Sequence, residues 1–200
     1  VDSAGRLYVA DSGNSRVLEY DAPFAGCSVG PCVGPPANLV FGQNGSFSSG
    51  TCANGVGTNP KPTANLMCSP WNVAVDALGH LYVADTGNSR VLEFAKPFSS
   101  GVNAGQAASM VWGQALSFNS GSCNFNGPAT AETMCQPSGV AVDSNGNLFV
   151  ADTNNSRVLA FKVPFNAATD ADVLYGQSSF SGSKCNINSS TPSATTLCSP

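Results

Sequence analysis

Charge is scarce in this 200-residue chain: 10% of its residues are Asp, Glu, Lys or Arg, against roughly a quarter in an ordinary soluble domain. The 8 Lys and Arg face 12 Asp and Glu, for a formal net charge of −4. That balance offers no electrostatic footprint for a nucleic-acid backbone or an anionic membrane. Histidine is scarcer still: the 1 in the chain, His80, stands on a turn, so no Ser-His-Asp set can be assembled. No apolar run approaches the roughly 18 residues with which a helix crosses a bilayer, so no membrane insertion is expected. No stretch keeps the helical period of about 3.6 residues, so helix content is expected near zero. Paired carboxylates, phosphate loops and clustered metal ligands are also missing, and no cofactor is implied.

What the chain does have is turn residues, cysteine and repetition. It carries 21 Gly, 13 Pro and 8 Cys, while a hydrophobic content of 42% with 11 Phe argues against global disorder. One segment is written three times: VDSAGRLYVADSGNSRVLEYDAPF from Val1, VDALGHLYVADTGNSRVLEFAKPF from Val75 and VDSNGNLFVADTNNSRVLAFKVPF from Val142. A looser motif falls between the copies: LVFGQNGSFSSGTC from Leu39, MVWGQALSFNSGSC from Met110 and VLYGQSSFSGSKC from Val173. The chain therefore divides into three units, of about residues 1–70, 71–137 and 138–200.

Each unit reads as β throughout. In the second, Val73–Val75, Leu81–Ala84, Arg90–Phe94 and Met110–Trp112 are short runs of strand formers, broken by Asp-Ala-Leu-Gly and Thr-Gly-Asn-Ser turn signals. Arg90–Phe94 alternates as a half-buried strand does. Three four-stranded antiparallel blades in series are expected, an all-β propeller architecture. A parallel β-helix is the rival, and the tight turns speak against it.

The run V-A-V-D-x-x-G-x-L-Y-V-A-D-x-x-N-x-R-V-L-x-F resembles the NHL repeat, and the likeness covers the core of all three units. The resemblance implies an NHL-type β-propeller, with a ring of about six blades. Three blades do not close such a ring. The sequence is therefore expected to be a fragment, with further blades supplied by the same chain or by a second copy.

The cysteines repeat with the units. Cys52 with Cys68, Cys123 with Cys135 and Cys185 with Cys198 bracket matching Ser-, Asn- and Gly-rich loops with little apolar surface of their own, and Cys27 with Cys32 forms a fourth pair in the loop after the first unit's Tyr20. Zinc is the competing reading, disfavoured by the single His80 and the lack of a Cys-x2-Cys pair. Disulfides imply an oxidising compartment, so the protein is expected to be secreted, periplasmic or displayed at a cell surface. Asn44, Asn154 and Asn188 open Asn-x-Ser triplets that can carry glycans in a eukaryotic secretory pathway, although a Ser- and Asn-rich chain also produces such triplets by composition.

Asp11/Arg16, Asp85/Arg90 and Asp152/Arg157 are the most conspicuous charged pairs. Their identical repetition points to turn-holding ion pairs rather than a ligand ring, and Asp2, Asp76 and Asp143 read as turn residues. Among residues that break the repeat, His80 stands on a turn and Trp71 is expected to pack. Lys61, Glu132, Asp170 and Asp172 are expected at the surface. No catalytic, cofactor-binding or metal-binding residue is assigned. The favoured function is a non-catalytic extracellular binding or scaffold module for a protein or glycan ligand. The alternatives are a structural subunit of an extracellular assembly, or a metal-dependent propeller enzyme of lyase or lactonase type whose active site lies in blades outside this sequence.

Overall fold

The computed structural model describes residues 1–28, 30–95, 97, 105–165 and 170–200. Its described part consists of antiparallel sheets joined by turns and short 3-10 segments, with no α-helix among the described residues. The first sheet holds β1 (Leu7–Asp11), β2 (Arg16–Tyr20) and β3 (Leu39–Phe41). The second holds β4 (Asn72–Val75), β5 (Leu81–Asp85), β6 (Arg90–Phe94) and β7 (Met110–Trp112). The third repeats it with β8 (Gly139–Val142), β9 (Leu148–Asp152), β10 (Arg157–Phe161) and β11 (Val173–Tyr175). In each sheet, strands adjacent in sequence are adjacent in space. The expectation of three four-stranded blades is corrected for the first, which has three strands. Val1 is the repeat equivalent of Val75, the last residue of β4, so the rest of that strand has no counterpart in this sequence.

Local chemistry sets the turns. The Asp76 side chain accepts hydrogen bonds from the main-chain N–H groups of Leu78 (2.9 Å) and His80 (2.8 Å), and Gly79 takes φ +85°. A left-handed residue there favours glycine, and Gly5 and Gly146 stand at the same step of the other units with φ +83° and +89°. Between β5 and β6 the chain makes one 3-10 turn and closes on Ser89 at φ 52°. This brings Asp85 opposite Arg90 in the register.

The sheets pack face to face. Tyr8, Val17 and Phe41 of the first meet Leu81, Val83, Leu92 and Phe94 of the second. The opposite face of the second, with Tyr82, Ala84, Val91 and Trp112, meets Leu148, Val150, Leu159 and Phe161 of the third. The Trp112 ring, 1% exposed, stands 6.2 Å from Phe161 and 5.3 Å from Phe165. Burial of an aromatic side chain of this size stabilises by about 2–3 kcal/mol or more. The second and third sheets approach closely along their first strands, β4 against β8, where Val140 N donates to Asn72 Oδ1 (3.1 Å). Trp71, expected to pack, instead exposes 65% of its surface. Its main chain is fixed, since its N–H donates to Ala84 O (2.9 Å), but it enters β4, the edge strand of its sheet, where no neighbour covers the indole.

Candidate functional site

Alternation of strand direction puts the β5–β6 turn and the β7–β8 connection on one face of the second sheet. The β4–β5 turn and the β6–β7 loop lie on the other. Cys52–Cys68, Cys123–Cys135 and Cys185–Cys198 are disulfide-bonded, and each closes a segment on the first of these faces. Cys27–Cys32 is bonded within the β2–β3 loop. Disulfides persist in oxidising compartments, and these bonds point to an oxidising environment.

The Asp–Arg pairs are the nodes that hold these loops. Arg90 and Asp85 have fully buried side chains, with Arg90 Nε 2.7 Å from Asp85 Oδ2. The remaining guanidinium nitrogens donate to main-chain carbonyls: Nη1 to Phe118 (2.6 Å), and Nη2 to Thr63 (3.0 Å) and Leu66 (2.7 Å). Asp85 in turn accepts Cys68 N (2.7 Å) and Asn88 Nδ2 (2.9 Å). One buried pair thus clamps the preceding unit's disulfide loop and the segment that follows its own unit's last strand. Asp152 and Arg157 repeat the arrangement with Cys135 N, Asn155, Thr130, Thr133 and Phe180. Asp11 and Arg16 form the same ion pair at 2.7 Å, but their side chains are 24% and 15% exposed because no preceding loop covers them.

Two further anchors carry no charge, although the first recurs in every copy of the looser motif. Gln43, Gln114 and Gln177 are buried, and each Nε2 bridges two carbonyls, of Ser15 and Thr51, Ser89 and Ser122, and Ser156 and Lys184. The preceding glycine makes room: at Gly113, with φ +93°, a Cβ would stand 2.9 Å from both Met134 and Ser89 O. Met67 and Met134, beside Cys68 and Cys135, are 0% and 1% exposed and plug the inter-sheet cores. The disulfide loops therefore carry more apolar anchoring than their composition suggests.

With their polar atoms tied down, the loops turn apolar side chains outward. Phe47, Val56, Trp71, Leu116, Phe125 and Ile187 are all large exposed hydrophobics in these connecting segments. Phe125 and Ile187 are held at φ 54° and 55°, within runs of left-handed residues that include Asn124 and Asn186. The left-handed region costs an L-residue about 1–2 kcal/mol, and Phe and Ile have no side-chain hydrogen bond to offset it. Asn44, Asn154 and Asn188 are exposed, as are Lys61, Glu132, Asp170 and Asp172.

The opposite face carries the other constellation. In the second unit it joins Asp76, His80, Tyr82 and Glu93; in the first, Asp2, Arg6, Tyr8 and Glu19; in the third, Asp143, Asn147, Phe149 and Ala160. Base, phenol and carboxylate change together between units, a signal present in the aligned repeats. Glu19 is fully buried. Burial first, then a hydrogen bond with the Asp21 side chain and the Asp21 charge, push its carboxyl up to about 7, against the pull of Arg6. A raised carboxyl favours the folded state fully below its ordinary value of 4.5, and that contribution fades as pH rises through about 7. Glu19→Gln is therefore expected to flatten the loss of stability between these limits and to stabilise the fold at pH 8 by about 1 kcal/mol, after allowing for screening by the nearby charges. Urea titrations of both proteins at several pH values check this.

Tandem antiparallel sheets of near-identical sequence, packed face to face along the chain, define a blade-repeat β protein. The family model for the NHL repeat matches residues 67–94 and 134–161, each running from a disulfide loop through the last residue of the third strand, so these two segments are similar to NHL repeats. Teneurin-3 of Danio rerio is 29% identical to it over 152 residues, covering 70% of this chain. The chain spans 6% of the length of that relative.

Proposed function

We propose that the chain is part of an extracellular β-propeller that works as a non-catalytic binding and scaffold module, taking a protein or glycan ligand on its disulfide-loop face. The observation that carries this reading is the set of exposed apolar side chains on rigidly anchored loops, above all Phe125 and Ile187, held outward in a costly backbone conformation. Strain of this kind persists where the surroundings impose it and concentrates at functional sites. Binding residues sit on loops that a scaffold positions. The outward faces of the first and last sheets leave Val9 and Tyr175 exposed, at 38% and 49%. This supports further blades, from the same chain or a second copy, packing against both.

The double variant Phe125→Gly/Ile187→Gly separates a ligand face from a structural one. Glycine accepts the left-handed conformation, so the variant is expected to unfold at the same temperature as the parent or a few degrees higher. It is expected to lose the signals the parent gives on a glycan array and on an array of extracellular proteins. A variant that keeps those signals, or a parent that gives none on either array, sinks the reading.

A further inference from the structure

On the face opposite the disulfide loops, a cleft of about 470 Å³ opens between the second and third sheets. Leu78, Met110 and Phe165 give it apolar walls, and Asp76, His80 and Glu93 line it as well. Glu93 is 8% exposed, and among the described residues no cation pairs with it. The cleft's one base, His80, is spoken for: its Nδ1 lies 2.8 Å from Asp76 Oδ2. Tyr82 OH also donates to Asp76 (3.3 Å), and Ser109 Oγ donates to the main-chain carbonyl of Glu93 (3.1 Å). Burial and the Asp76 charge hold the Glu93 carboxyl above its ordinary value, while His80 and Ser109 work against them. In the first unit the longer Arg6 stands at the histidine position; its Nε pairs with Asp2 Oδ2 (2.7 Å), and its permanent charge also acts on Glu19. In the third the base and the carboxylate are both absent, replaced by Asn147 and Ala160. The second unit alone keeps the carboxylate and shortens the base.

We propose that this cleft binds an alkylammonium ion, its charged end against Glu93 and its carbon chain along Met110, Leu78 and Phe165. A metal ion fits less well, since among the described residues no group of three His, Cys, Asp or Glu side chains is close enough to hold one. An apolar lining rewards a carbon stem, and a desolvated carboxylate without a counter-ion among the described residues rewards a cation. The site is independent of the loop-face reading, and either can fail without the other.

The chain's 3 methionines and 1 histidine make the test direct. With methyl-labelled methionine at pH 8, n-pentylammonium is expected to move the Met110 methyl and the His80 ring signals saturably. The methyls of Met67 and Met134, sealed in the cores, stay in place. The isosteric alcohol 1-pentanol is expected to bind at least about tenfold more weakly, because it leaves the carboxylate unpaired. Glu93→Gln is expected to remove the preference for the ammonium, and it is expected to fold because the third unit carries Ala160 at this place. His80→Arg, which restores the first unit's arrangement, is expected to block the cation, read on Met110. Equal binding of amine and alcohol, an unchanged preference in Glu93→Gln, or no movement of Met110 overturns the proposal.

Discussion

Arg90→Met is expected to destabilise the protein by about 3–5 kcal/mol, the range found when one partner of a buried ion pair is removed. Methionine keeps much of the volume and none of the donors. Asp85 is then left as a carboxylate in a site closed to water, held by Cys68 N and Asn88 alone. The carbonyls of Leu66 and Phe118 lose the nitrogens that satisfied them, and Thr63 O keeps only the longer contact from Leu66 N (3.5 Å). Each buried acceptor left unpaired adds to the cost. Against a typical total stability of about 5–15 kcal/mol, this is a large share. With a urea slope of about 2 kcal/mol per molar, the midpoint falls by roughly 2 M. Arg16→Met is the internal control. It breaks an ion pair of the same length, but one open to water, and about 1 kcal/mol or less is expected there. Equal losses at Arg16 and Arg90 would show that the ion pair itself, rather than its burial under two loops, carries the energy.

Much of this architecture was legible because the repeat removes ambiguity. A single LYVAD run reads as strand or buried helix, but three copies followed by Asp-x-x-Asn-x-Arg fix strand, turn and strand. The structure lengthens β4 to begin at Asn72 and β5 to end at Asp85, where the register with Arg90 continues the ladder. What the loop anchors hold was not legible for a physical reason. The Asp85–Arg90 pair could be read from its repetition, but Gln114 and the rest of the Arg90 guanidinium act on main-chain carbonyls, and a carbonyl carries no mark of residue identity in the sequence. Trp71 failed for a different reason, since hydrophobicity says nothing about whether a neighbouring layer stands over an edge strand. The Tyr82, His80 and Glu93 set was legible in principle, because the repeats vary there together, yet reading the positions one at a time hid it.

The disulfide loops set the second large effect, and its direction along the chain is the informative part. Replacing Cys123 and Cys135 by Ser releases a loop of separation 12, for which unfolded-chain entropy gives a loss of about 3 kcal/mol. The released segment also holds its neighbours. Thr130 O and Thr133 O accept from Arg157, and Cys135 N donates to Asp152, so the loosened loop uncovers the ion pair of the following unit. The second unit's own pair depends on the preceding loop through Thr63 and Leu66, and on residues 113–122 only through Phe118. Hydrogen exchange should therefore quicken at Asn124, Met134 and Cys135 and then in β9 and β10, while the amides of β5 and β6 keep their protection. Removing Cys27–Cys32 is expected to do neither, because that bond closes a separation of 5 in an exposed loop, where Cys27 N reaches no farther than Phe24 O. Faster exchange in β5 and β6 after loss of Cys123–Cys135 would mean that the loop supports the sheet it leaves rather than the sheet it enters.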